Sequence, residues 1–233
     1  MSRGKALWVN ILGALALVGI ILALFMVFVY APTEKEMGIV QRIFYFHVPS
    51  ATIAFLSFFI VFFYSILYLF WKKDRDFDII SASAAEIGVV FTTLVLIEGS
   101  FWAKPTWGAW WVWEEPRLVT ALVLWLIYVG YLMLRGAISD PTRRATFSAV
   151  LGIIGFIDVP IVFMSIRWWR SIHPVVISPT KMNLDPSMML TFFISLGAFF
   201  LFFAYLFIQK VSLERLKDDV EQLKYSAGVG AAR

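Results

Sequence analysis

Two histidines, His47 in FYFHVPSA and His173 in RWWRSIHPVV, are the whole imidazole supply of this chain. Neutral imidazole nitrogen is the commonest protein ligand for a metal, so a pair with no others is a first candidate for chemistry. Between them runs WAKPTWGAWWVWEEPR, residues 102–117, which packs five of the ten tryptophans into the stretch from Trp102 to Trp113. Trp107, Trp110 and Trp111 stand at i, i+3 and i+4, so a short interfacial helix would set them on one face as a flat aromatic platform, with Gly108 and Ala109 filling the gaps. One or two indoles would read as an ordinary aromatic belt at the headgroup level. A cluster this dense points instead to a stacking surface for a large planar ligand.

The elements that must position these groups are membrane helices. Of the 233 residues, 61% are hydrophobic and 15% charged, with a mean hydropathy of +0.81, a balance that excludes an ordinary soluble domain. A bilayer core takes about 20 apolar residues per helix, and the charged breaks divide the chain into six such runs. The spans expected are Leu7–Tyr30, His47–Trp71, Ile79–Phe101, Leu118–Leu134, Ala145–Ile166 and Ser187–Gln209. The fold class is therefore all-α: one polytopic membrane domain over residues 1–209, its tryptophan-rich outer loop at 102–117, and a cytoplasmic amphipathic tail at 210–233. The first run is too long for a signal-peptide core and lacks a small-residue cleavage site, so it is expected to remain as a helix.

Charge sets the orientation. Alternate polar segments, beginning with the first, hold thirteen of the Lys and Arg residues and the others hold seven, which by the positive-inside rule places both termini in the cytoplasm. The tryptophan segment, His47 and His173 then share the outer side, along with seven of the ten tryptophans. Pro49 is expected in the first turn of the second span, which would put His47 at its outer mouth.

Three acidic residues fall inside spans: Glu86, Glu98 and Asp158. Charges at that depth are costly and are functional candidates by default, but interhelical pairing is ranked first for all three. In the tail, Leu213, Leu216, Val220 and Leu223 recur at heptad-like spacing for about two turns, and a plain amphipathic helix is favoured over a coiled coil or a docking helix. The absence of cysteine excludes disulfides, thiolate metal sites and a C-x-x-C-H motif for covalent haem. There is no G-x-x-x-x-G-K-[ST] loop, so no nucleotide site is expected. No nucleic-acid partner is expected either.

Two imidazoles beside an indole platform suit haem, a flat apolar disc whose iron takes two axial ligands and whose edge carries two propionates. The disc would rest on Trp107, Trp110 and Trp111 with His47 and His173 on opposite faces, and Lys104, Arg117, Arg167 or Arg170 could pair with the propionates. Iron filled on both sides by histidine keeps no open position for oxygen chemistry, which suggests handling rather than catalysis.

GSFWAKPTWGAWWVWEEPRL, YFHVPSA around His47 and the WWRSIH stretch, with six spans in this length, resemble the tryptophan-rich (WWD) haem-handling family of the bacterial cytochrome c maturation system, over nearly the whole chain. The resemblance implies haem b held non-covalently on the outer face of the bacterial cytoplasmic (inner) membrane, with His47 and His173 as axial ligands. It places Trp102, Trp107, Gly108, Trp110, Trp111, Trp113 and Arg117 at the haem. The family has Asp directly after the last tryptophan and Arg two residues later, whereas Glu114, Glu115 and Pro116 intervene here. The counterpart of that Asp is either Glu114 or Glu115. The partners implied are a membrane-tethered haem chaperone that receives haem, the ATPase and membrane subunits of an ABC transporter, and a small single-span subunit. On this reading the chain is not an enzyme. The alternatives are a membrane cytochrome c synthase (haem lyase), a class generally longer and richer in histidine, and a cytochrome b or quinone-anchor subunit, whose histidines lie mid-span.

Overall fold

The computed structural model describes residues 3–174 and 184–226. Lys181 and Arg233, both counted in the charge balance, lie outside the described residues. Helix α1 (Arg3–Phe25) loosens into a π-helical turn to Tyr30. Helix α2 (Phe44–Ile66) is entered through a 3-10 turn at Ile39–Ile43 and leaves through a π turn at Leu67–Trp71. Then come α3 (Arg75–Trp107), α4 (Pro116–Ala137), α5 (Pro141–Phe156), α6 (Asp158–Trp168) and α7 (Pro186–Ser226). Among the described residues six helical stretches, with α5 and α6 acting as one, are long and apolar enough to cross a membrane. The chain is a multi-pass helical membrane protein, the architecture that satisfies every backbone polar group without water.

Local chemistry sets the ends. Asp74 accepts from the Asp76 amide at 3.0 Å to start α3, and Asp140 accepts from the Arg143 amide at 2.6 Å to start α5, which also has Pro141 in its first turn. The fifth span breaks at Ile157 because Pro160 has no N–H to offer and its ring crowds the Phe156 carbonyl four residues back.

The core lies where α2, α3, α4 and α5 meet. Phe58 of α2 stacks on Tyr128 of α4 at 3.7 Å, and Gly88 of α3 permits this, since a Cβ there would stand 2.5 Å from the Phe58 ring. Helix α1 packs chiefly on α7; its other sides expose Leu7, Trp8, Leu17 and Val18, a surface suited to lipid.

At the end away from the histidines, charge ties the helices together. Arg135 of α4 grips Asp78 of α3 with two hydrogen bonds of 2.5 and 2.9 Å. Lys210 of α7 meets Glu86 at 2.6 Å, so Glu86 is interhelical glue as expected. Arg215 binds Asp76 at 3.0 and 3.1 Å, and Arg75 pairs with Asp218. Helix α7 runs through Gln209 and Lys210 without a break, for 41 residues or about 60 Å. Its last turns are strapped to α3 by one side, while Leu213, Leu216, Val220 and Leu223 remain exposed on another.

Candidate functional site

His47 sits deeper in its helix than the sequence suggests. The second span does not begin at His47: α2 starts at Phe44, after the 3-10 turn, and Pro49 falls in its second turn rather than its first. The preceding turn supplies the start that proline was expected to supply, and Pro49 instead removes one bond inside the helix. The imidazole lies against α3, its Cε1 3.4 Å from where a Cβ on Gly99 would stand. Its Nδ1 faces Oε2 of Glu98 at 3.8 Å, while the buried Ser50 donates its hydroxyl to the other carboxylate oxygen at 3.5 Å. Neither Nδ1 nor that Oε2 has a hydrogen-bond partner among the described residues.

His173 is held by a different device. After α6 the chain turns extended at Trp169, and Glu115 pins the segment that follows. The Glu115 side chain is buried, and it accepts from the Ser171 hydroxyl at 2.6 Å and from the Ile172 amide at 3.0 Å while also capping α4 through the Arg117 amide at 3.4 Å. The His173 ring then lies 6.2 Å from Trp102 and 6.4 Å from Trp107. Its Nδ1 is 3.2 Å from the Pro174 carbonyl, so a neutral ring that donates there leaves Nε2 with a free lone pair. Burial first, and then the neighbouring Arg117 guanidinium, push the imidazole down to about 4, which keeps it a neutral donor. Of the two glutamates, Glu114 is exposed and Glu115 is the positioning group.

The interfacial helix expected across Trp107, Trp110 and Trp111 is not formed. Gly108, at φ +79°, closes α3 in the left-handed conformation with its amide on the Lys104 carbonyl at 3.1 Å, and residues 109–115 are non-helical. The tryptophans are therefore divided between two faces of α3. Trp102 stacks edge-on with Trp107 at 5.2 Å on the face that carries Glu98 and Gly99, where both histidines meet it. Trp110 leans edge-on against Phe101 at 5.5 Å, and Trp111 meets Trp113 at 5.6 Å. These three close the top of an open, apolar groove of about 580 Å³ between α3 and α4, floored by Ile97, Phe101 and Trp125. The buried Trp111 Nε1 has no partner among the described residues.

Of the four cations proposed for the propionates, Arg117 bears on both imidazoles. It leaves the N-terminus of α4 and donates to the carbonyls of Val162 and Phe163, both at 3.4 Å. Arg167 lies over the Phe163 ring at 5.1 Å, Arg170 is exposed, and Lys104 donates to the Gly108 carbonyl at 3.0 Å. Asp158, for which interhelical pairing is expected, has its Oδ2 buried without a hydrogen-bond partner among the described residues, and acts on Tyr128 electrostatically. Glu98, an in-span acid for which the sequence ranks interhelical pairing first, does reach across from α3 to α2, where it meets His47 and Ser50.

The donor chemistry suits a metal that brings most of its own ligands. Among the described residues no group of three or more His, Cys, Asp or Glu could hold a bare ion. Two imidazoles can complete the axial positions of a macrocycle-bound iron.

Fold and site together define a polytopic helical membrane protein with a paired-imidazole, tryptophan-lined site at one end. Residues 2–226 match the family described as heme exporter protein C, and the chain belongs to that family. It is 33% identical over 196 residues to a heme exporter protein C of Bradyrhizobium diazoefficiens, covering 83% of this chain and 74% of that one. A mitochondrial protein of Marchantia polymorpha, named for cytochrome c biosynthesis, is 35% identical over 76% of this chain and 75% of its own. With the heme exporter protein C of Escherichia coli K12 the identity is 35% over 69% of this chain, and the match spans 64% of that protein's length.

Proposed function

We propose that this protein binds haem b non-covalently at the paired-imidazole site, on the outer face of the bacterial cytoplasmic membrane, and hands it to a membrane-tethered haem chaperone during cytochrome c maturation. The observation that carries the reading is the convergence of His47 and His173 on one face of α3, beside Trp102 and Trp107 and within electrostatic reach of Arg117. Its relatives are named for haem export and cytochrome c biosynthesis.

Haem would supply an iron with two axial positions and a pair of propionates. Each residue here then has one task. His47 presents an imidazole from the body of α2, and His173 presents a neutral Nε2 from a segment latched by Glu115. Arg117 offers a guanidinium suited to a propionate. Trp102 and Trp107 exclude water from the His173 side, and the groove under Trp110, Trp111 and Trp113 gives an apolar surface next to the site. No proton or electron has to move through these groups, which fits delivery rather than catalysis.

An ATP-driven step would belong to partner subunits of an ABC transporter, with a small single-span subunit beside them, because the sequence holds no phosphate-binding loop. The thirteen-to-seven charge balance supports an orientation with both termini in the cytoplasm and the histidine end outside.

The test is the absorbance spectrum of the detergent-purified protein from haem-sufficient cells. A six-coordinate, bis-histidine spectrum that changes in both His47→Ala and His173→Ala is the expected result. A colourless protein, or one whose spectrum ignores both substitutions, would refute the assignment. Covalent product formed from haem and apocytochrome by this protein alone would identify a synthase.

A further inference from the structure

We propose that Glu98 is the positioning residue for His47: its carboxylate accepts the Nδ1–H of the imidazole and fixes the tautomer whose Nε2 is free, so that His47 and His173 are unequal ligands and His47 is the tighter one. The inference rests on the haem-binding reading above and names the groups behind it.

The two atoms concerned face each other at 3.8 Å, from α2 and α3, and each is buried without another partner among the described residues. An unpaired buried polar atom is costly, and two of complementary character pointing at one another form a natural pair. A contact of this length needs a small torsional change to become a hydrogen bond, and such contacts tighten when the opposite ring nitrogen is engaged. The surroundings favour that change. Ser50 steadies the other carboxylate oxygen at 3.5 Å, and the His47 ring already lies against Gly99, directly after Glu98.

His173 lacks this support. Its Nδ1 faces the uncharged carbonyl of Pro174 at 3.2 Å, and it is carried by an irregular segment rather than a helix. A carboxylate behind a metal-bound imidazole orients the ring and raises its basicity more than a neutral carbonyl does. The iron would therefore be anchored through His47 and exchange first at His173, which is the order a protein that must release its cargo can use.

The experiment uses the full-length protein, purified with haem, as Glu98→Ala and as Glu98→Gln. The second keeps the side-chain volume and the acceptor for Ser50, and it carries the test if the first does not reach the membrane. The reduction potential is expected to rise in both, more in Glu98→Ala, and haem loss to an apo-haemoprotein scavenger to become about 10–100-fold faster. Both changes should persist in a His173→Ala background and vanish in His47→Ala. Equal shifts in the two backgrounds, or a six-coordinate protein whose potential and haem retention ignore Glu98, would overturn the proposal while leaving haem binding intact. A wild-type protein without bis-histidine haem would end both.

Discussion

The Ser171 hydroxyl donates to Oε1 of Glu115 at 2.6 Å, joining residues fifty-six positions apart and bringing His173 to the face of α3. The same carboxylate caps α4 and accepts from the Ile172 amide. One side chain thus sets both the start of the fourth span and the place of the imidazole carried after the fifth.

Glu115→Ala should cut haem content and lower stability, since it uncaps α4 and strands two donors. The cap is worth about 1 kcal/mol, and the two part-buried donors left without this partner add to the loss. The haem-to-protein ratio and the thermal aggregation midpoint in detergent measure the two effects. Glu114→Ala, at an exposed position, should have the smaller effect on both.

Acid should loosen the haem-free protein through His173. Its folded value, about 4, lies below the ordinary histidine value of 6.5, so between these the unfolded chain binds the extra proton. The contribution is fully present above about pH 6.5 and is lost as pH falls toward 4. Aggregation midpoints measured from pH 7.5 to 4.5 should show this decline, and His173→Ala should flatten it.

The division of the tryptophans can be read by spectroscopy. Trp102→Ala removes the ring beside His173 and should perturb the iron spectrum of the haem that remains. Trp110→Ala and Trp111→Ala act on the groove across α3 and should lower haem content without altering the spectrum or the protein level. Identical spectral changes from all three would contradict the division.

At the opposite end, Asp78→Ala should destabilise the bundle by up to about 3 kcal/mol, because it leaves the part-buried Arg135 guanidinium without its carboxylate partner. Asp78→Leu combined with Arg135→Met should recover much of that loss. The denaturation midpoint of each purified variant gives the comparison.

The sequence by itself determined the six apolar helices, because hydropathy is a local property, and it gathered both histidines and the tryptophan segment at one end, because successive spans alternate direction. Glu86 as interhelical glue was also legible, as an acid inside an apolar run needs a cation. Tertiary structure decided the rest. Whether Trp107, Trp110 and Trp111 shared a face depended on where α3 stopped, and Gly108 stops it before the pattern can continue. The choice of Glu115 over Glu114 depended on which carboxylate turned inward at the start of α4, toward residues far along the chain. Glu98 joined His47 through the rotational setting of α2 against α3, a matter of side chains interlocking across two helices that no spacing within either one encodes.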